Sequence, residues 1–228
     1  MFPRMTRPRT SPHPLLLGHR GARALKSIPE NTLASFDQAL ADGCDGFEFD
    51  VRLSADGKPV VCHDPQVGGV EIARASAEQL AVLPQLPDVL ARYQERAFLD
   101  IELKVTGLEH ALLQSLRSHP PQRGYVVSSF LPEVLIDLHK VDDHLPLGLL
   151  CETQPQLASW RQLPTQYVLP HYTLMNVDLM RELQGAGKKV LTWTVNHEER
   201  MLEFERMKVD GIISDDTVTL GKLRAPKT

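Results

Sequence analysis

The chain has 228 residues, 42% of them hydrophobic, which is enough for a substantial core. Its 25 basic side chains face 29 acidic ones, a net charge of −4 with no long run of one sign; this excludes a generic polyanion binder, which needs a basic face to displace phosphate counterions. The longest apolar runs, such as Leu15-Leu16-Leu17, fall far short of the ~18 residues of a membrane span, and Met1 to Pro14 holds Arg4, Arg7 and Arg9 without the apolar stretch of a signal peptide.

Residues 1–14 are expected to form a flexible arm and residues 15–228 one catalytic domain, with the protein cytoplasmic. Cys44, Cys62 and Cys151 are widely spaced and lack a CxxC pair, so they read as reduced packing residues rather than a disulfide framework or a zinc site.

Short apolar stretches alternate with amphipathic segments along the chain. The first strand is expected over 15–19. A helix over 31–40 follows, with Leu33, Phe36 and Leu40 on one face, Asn31 as its N-cap and Gly43 as its stop. A second strand over 46–52, an Asp56-Gly57 turn and an extended return over 59–63 predict a hairpin appended to that strand. A short helical stretch near 77–83, a helix over 88–94 and a strand over 97–104 come next. Strands over 125–129, 147–151, 167–171, 189–195 and 211–214 then alternate with helices near 108–118, 132–140, 154–160, 177–184 and 198–207. Eight strands, each but the last followed by a helix, predict a closed (β/α)8 barrel, a TIM barrel; a doubly wound open sheet is the alternative.

In such a barrel, functional groups belong at the C-terminal ends of strands. The first strand ends in Gly18-His19-Arg20-Gly21. In the second, the period of two sends Glu48 and Asp50 to one face and Phe47 and Phe49 to the other; in the third it aligns Asp100, Glu102 and Lys104. Buried acids need neutralising, either by a divalent cation or by Arg20, Arg52 and Lys104. The all-oxygen set of Glu48, Asp50 and Glu102 suits Mg²⁺ or Ca²⁺ better than zinc. His19 and His63 are the natural proton-transfer pair, because imidazole titrates near neutrality. Gly185-Ala186-Gly187-Lys188-Lys189 leads into a strand and reads as a helix-ending turn rather than a phosphate loop. Ser128 and Ser129 lack a nucleophile-elbow setting and read as strand or pocket-lining residues, and His171, at a strand end, is a candidate pocket residue.

These residues fall in an ordered set: His19-Arg20-Gly21-Ala22, Pro29-Glu30-Asn31-Thr32, Glu48-Phe49-Asp50-Val51, Asp56-Gly57, Val60-Val61-Cys62-His63-Asp64, Ile101-Glu102-Leu103-Lys104, Ser129-Phe130, Thr192-Trp193-Thr194-Val195-Asn196 and Asp210-Gly211-Ile212-Ile213-Ser214-Asp215. The set resembles the glycerophosphodiester phosphodiesterase family over nearly the whole chain after residue 14. The resemblance implies a phospholipase C-like barrel whose metal-dependent activity cleaves glycerophosphodiesters to sn-glycerol 3-phosphate and an alcohol. It implies Glu48, Asp50 and Glu102 as metal ligands, His19 and His63 as the acid–base pair, and Arg20 as the phosphate-binding arginine; of the two assignments of the pair, His19 as base and His63 as acid is the one taken here. Glu30 and Lys104 are implied as polar members of the same site, with Phe130 and Trp193 lining the substrate pocket. The implied attacker is the neighbouring glycerol hydroxyl, giving a cyclic phosphate that water opens, with direct attack by water as the alternative. The short Gln66 to Glu71 segment, where the family usually carries a longer insertion, implies a more open pocket. A lysophospholipase D, another phosphodiesterase or a catalytically silent binding barrel on the same scaffold are the competing expectations; the partner is a small molecule in the first two of these and no nucleic acid in any.

Overall fold

A computed structural model describes residues 13–224; residues 1–12 of the expected arm, and residues 225–228, lie outside the described residues. The elements in order are β1 (Leu15–His19), α1 (Leu33–Ala41), β2 (Gly46–Leu53), β3 (Pro59–Val61), β4 (Gln66–Val67), β5 (Val70–Glu71), α2 (Leu86–Tyr93), β6 (Phe98–Leu103), α3 (Glu109–Ser118), β7 (Tyr125–Ser129), α4 (Pro132–Val141), β8 (Leu147–Cys151), α5 (Gln154–Ala158), β9 (Tyr167–Pro170), α6 (Val177–Gly185), β10 (Lys189–Thr192), α7 (Glu198–Met207), β11 (Gly211–Ser214) and α8 (Thr217–Gly221).

Strands β1, β2 and β6 to β11 are all parallel, and β1 pairs with both β2 and β11. That double pairing closes the sheet into the (β/α)8 barrel expected from the sequence and excludes the open sheet. β3 lies outside the closure, antiparallel to β2 with Val51 opposite Val61 and Leu53 opposite Pro59, as the predicted hairpin requires.

Alternation along β2 builds both the core and the site. Phe47 and Phe49 point outward, where Phe47 stacks on Phe36 of α1 at 4.2 Å and meets the edge of Tyr93 of α2 at 4.9 Å. All four rings are fully buried, and aromatic pairs of this geometry add to the area they remove from water. Locked from outside in this way, β2 has to direct Glu48 and Asp50 inward.

Some boundaries differ from the sequence expectation. Thr32, not Asn31, caps α1, its hydroxyl accepting from Ser35 N at 3.2 Å, because Asn31 turns back to Asp50. Gly43, at φ +96°, ends that helix as expected. No helix forms over 77–83: Pro84 disfavours helical geometry in the residue before it, and Leu80 is instead buried with Val60, Ile72 and Ala75. The expected 154–160 helix is a five-residue α5 continued by a 3₁₀ turn over Ser159–Gln162. The unexpected α8 is capped by Asp216, which accepts from Thr219 N at 2.9 Å, so the last strand too is followed by a helix. Gly187, at φ +72°, lets Lys188 N reach Leu183 O, the helix-ending turn read from the glycines. All three cysteines are free thiols. Among the described residues no helix is long and apolar enough to cross a membrane.

Two glycines have opposite requirements. A Cβ on Gly46 would stand 1.8 Å from the carbonyl oxygen of Phe98 on the adjacent strand, whereas one on Gly185, at the end of α6, meets nothing within 4 Å. Gly46→Ala is expected to destabilise the fold by at least about 3 kcal/mol. Gly185→Ala is expected to be neutral or to stabilise by about 0.5–1 kcal/mol. Urea midpoints of the two variants check both.

Candidate active site

The C-terminal end of β1 breaks into a tight turn. Arg20 has φ +53° and Gly21 φ +83°, and a Cβ on Gly21 would lie 2.4 Å from Ser35 Oγ. Ser35, in the first turn of α1, fixes this turn by donating its hydroxyl to Arg20 O at 3.1 Å and accepting from Ala22 N at 2.8 Å. Held there, Arg20 donates its backbone N–H to Glu48 Oε2 at 3.0 Å and its Nη1 to Glu30 Oε1 at 2.7 Å, while its Nε lies 3.3 Å from Asp50 Oδ2. His19, just before the turn, directs Nδ1 to Asp215 Oδ1 at 2.7 Å and Nε2 toward Glu48 Oε2 at 3.8 Å.

The register of β2 and β6 places Glu48 opposite Asp100 and Asp50 opposite Glu102. Glu48, Asp50 and Glu102 are buried and offer oxygens that all lie within 4.8 Å of one another. Asp100 lies one layer toward the N-terminal end of the barrel and accepts from Ser128 Oγ at 2.6 Å. Ser128 is therefore a buried partner of an acid rather than a pocket-lining residue, and Ser129, whose hydroxyl donates to Leu103 O, is likewise buried.

Two cations reach the cluster. Lys104 Nζ lies 2.6 Å from Glu102 Oε1 and 3.3 Å from Asp50 Oδ1, and Arg20 flanks Asp50. Asn31 Nδ2 adds a hydrogen bond to Asp50 Oδ2 at 2.8 Å. Burial works against the Asp50 carboxylate, but Lys104, Arg20 and Asn31 outweigh it and hold the group below its ordinary range. Burial, followed by repulsion from Asp50, pushes Glu48 well above the usual carboxylate range and Glu102 up to about 8; burial likewise takes Asp100 to about 7. Among the described residues Glu48 Oε1 is buried without a hydrogen-bond donor, and Asp50 Oδ1 has only the ion pair to Lys104. Arg52 does not join the cluster. β2 leaves its pairing with β6 after Val51, and Arg52 Nε instead donates to the carbonyl of His63 at 2.8 Å, tying the hairpin to the barrel rim.

His63 follows β3, a third of its side chain exposed, with Nδ1 2.7 Å from Asp64 Oδ1. It faces a cleft of about 240 Å³ lined by His19, Arg20, Glu48, Glu102, Lys104 and Glu152 together with the apolar Phe130, Leu150, Trp193 and Ile213. Phe130 and Trp193 meet edge to face at 5.5 Å, and Trp193 Nε1 donates to Leu169 O at 2.8 Å, which fixes the indole. His171 packs on Trp193 at 5.1 Å, behind the lining. Glu30 also lies outside the lining, gripping Arg20 from the far side. The structure thus gathers His19, His63, Arg20, Lys104, Glu48, Glu102, Phe130 and Trp193 around one space, with Asp50 buried beneath them.

Asp215 is the residue that sequence reasoning passed over. Burial disfavours its charge, but the hydrogen bonds from His19 and Asn196 and the charge of Arg23 prevail and hold its carboxyl far below the usual range. Its position just beyond the end of β11 is the signal that could have found it, since the strand-end rule applies there too. The same burial acts on His19 and outweighs the pull of Asp215, lowering the imidazole below its ordinary value so that it is neutral at pH 7.

Comparison with known proteins places these features. Residues 19–219 match the model of the glycerophosphoryl diester phosphodiesterase family. The chain is 32% identical to a glycerophosphodiester phosphodiesterase of Caldanaerobacter subterraneus subsp. tengcongensis, covering 90% of this chain and 96% of that protein. A glycerophosphodiester phosphodiesterase structure from Thermotoga maritima superposes with a TM-score of 0.80 at 27% identity, covering 93% of this chain and 99% of the other. An Oleispira antarctica phosphodiesterase, solved in complex with the product sn-glycerol-3-phosphate, superposes with a TM-score of 0.80 at 26% identity, covering 91% and 95%. On the family match across the barrel and the relative at 32% identity, the chain belongs to the glycerophosphoryl diester phosphodiesterase family.

Proposed function

We propose that the protein hydrolyses glycerophosphodiesters to sn-glycerol 3-phosphate and an alcohol. The observation that carries this reading is one cleft in which two imidazoles and two cations face a buried three-carboxylate cluster, in a chain of this family. The free state of Cys44, Cys62 and Cys151 supports a reducing, cytoplasmic setting.

The cluster fits a hard divalent cation. Its donors are all oxygen, they lie within 4.8 Å of one another, and among the described residues Glu48 Oε1 is buried with no donor of its own. Glu48, Asp50 and Glu102 would hold Mg²⁺ or Ca²⁺, which when bound supplies positive charge against the phosphoryl oxygens.

The chain's own groups do the rest. Arg20 and Lys104 carry fixed positive charge into the cleft, where the phosphate gains negative charge as the attacking oxygen adds. His19 gives its Nδ1 proton to the hydrogen bond with Asp215, which leaves the Nε2 lone pair free. Neutral at pH 7, it is suited to take the proton from the attacking oxygen. That oxygen is the neighbouring glycerol hydroxyl, giving a cyclic phosphate that water then opens, or water itself. His63, on the hairpin side, donates a proton to the departing alcohol oxygen as its bond to phosphorus breaks. Phe130 and Trp193 present ring surface to the carbon skeleton of the substrate, and Glu30 fixes the reach of Arg20. The short β4–β5 hairpin leaves the alcohol side of the cleft open.

The direct test is release of glycerol 3-phosphate from glycerophosphocholine, glycerophosphoethanolamine and glycerophosphoinositol, with free choline scored separately on a lysophospholipid. Choline release from the lysophospholipid alone would replace this reading with a phospholipase D. His19→Ala and His63→Ala should each lower kcat by about 10²-fold or more with the circular dichroism spectrum unchanged; near-normal turnover in both would remove the acid–base assignment. Glu48→Gln should shift the metal titration of activity to higher concentration, and an unmoved titration would show that the ligand is elsewhere.

A pH effect follows from the same carboxylates. Glu102 and Asp100, raised to about 8 and about 7, and Glu48, raised well above the usual carboxylate range, hold protons in the metal-free fold that the unfolded chain has released by pH 6.5. Stability should therefore fall as pH rises from 6.5 to 8 without metal. His19, lowered from 6.5, has the opposite sign, but its contribution fades across the lower part of that window as the unfolded imidazole loses its proton. Thermal melts across the window should show the decline, and saturating Mg²⁺ or Ca²⁺ should flatten it.

A further inference from the structure

Arg23 lies three residues beyond the arginine that faces the cleft, does not line the cleft, and is one-third exposed. Its guanidinium nevertheless spans two acids from different loops. Nε donates to Glu30 Oε2 at 2.6 Å, and Nη1 donates to both oxygens of Asp215 at 3.2 Å. Each acid uses another contact to hold a group of the site: Glu30 Oε1 accepts from Arg20 Nη1 at 2.7 Å, and Asp215 Oδ1 pairs with His19 Nδ1 at 2.7 Å. The backbone repeats the link, since Ala24 N donates to Asp215 O at 3.0 Å. Among the described residues Arg23 makes no other ion pair.

We propose that Arg23 is a positioning residue, whose single guanidinium fixes Asp215 against His19 and Glu30 against Arg20. A planar fork with donors on separate nitrogens can meet two carboxylates at a set angle, which the single ammonium of a lysine cannot. The loops it joins follow β1 and β11, the neighbouring strands that close the barrel. Asn196 also holds Asp215, from Nδ2 to Oδ2 at 2.8 Å, but from the β10 side and without reaching Glu30. Without Arg23, Asp215 keeps one neutral donor besides His19, and Glu30 keeps Arg20 alone. The imidazole and the arginine then lose their common brace. A partly exposed ion pair adds little to stability, so the effect belongs in turnover rather than in the melting temperature.

The kinetic arm of this proposal rests on the hydrolase reading above. Arg23→Gln should lower kcat about 10-fold or more, as loss of an orienting partner does, with the melting temperature near wild type. Asp215→Asn should lose more, and the double variant should lose clearly less than the product of the two single losses, because Arg23 acts on His19 through Asp215 and only its hold on Glu30 remains to be lost. A kcat for Arg23→Gln within about twofold of wild type, or a double variant showing the product of the two single losses, would overturn the proposal. A second readout needs no turnover: the low-field Nδ1 proton of His19, assigned by its loss in His19→Ala, should shift or broaden in Arg23→Gln. An unchanged signal also overturns the proposal. Should the wild-type enzyme prove inactive on every diester, the hydrolase reading fails and the proton signal alone decides on Arg23.

Discussion

Three carboxylates meet inside the mouth of the barrel, where Lys104 and Arg20 are, among the described residues, the lysine and arginine side chains that reach them, and the surrounding structure is arranged around that concentration of charge. The β2–β6 register brings the acids together, and the packing of Phe36, Phe47, Phe49 and Tyr93 outside the strands prevents them from turning away. Nearby local preferences give way. Arg20 and Asn31 both adopt positive φ, a conformation uncommon outside glycine, and in doing so deliver a guanidinium and an amide to Asp50. Fully ionised, the three carboxylates would carry more negative charge than these two cations neutralise, so without a metal they retain protons, and the set is well matched to a bound divalent ion.

The cleft is mixed in character: acids and cations from β1, β2 and β6 share it with the apolar Phe130, Leu150, Trp193 and Ile213 and with Glu152. A substrate with a charged phosphate and a carbon skeleton has a preferred orientation in such a space, set by burial of the skeleton and by Coulomb attraction on the phosphate.

What could be read from the sequence was what alternation and strand ends determine. The facing of Glu48 and Asp50 away from Phe47 and Phe49, and of Glu102 and Lys104 toward them, needs only the period of two, and several strands, including β1 and β7, fall on the residues expected. Contacts between distant segments were not readable. Asn31 is an ordinary N-cap candidate until Asp50 claims its side chain, and Arg52 shares the parity of the acids, but the hairpin draws it to the His63 carbonyl. The 77–83 segment has helical composition, and what decides against it is Pro84 together with the burial of Leu80 among residues of the appended segment. The role of Asp215 was hidden for the same reason, since its partner stands at the other end of the chain.

The two histidines differ in how far along the chain their neighbours lie. His63 is tied to Arg52, 11 residues away, whereas the His19–Asp215 pair spans 196. During synthesis the hairpin histidine can be seated once the first strands have formed, but the first strand's histidine waits for the last strand to dock. Completing the His19–Asp215 pair therefore requires the last strand, so the same contact that orients the imidazole is made only when the barrel closes.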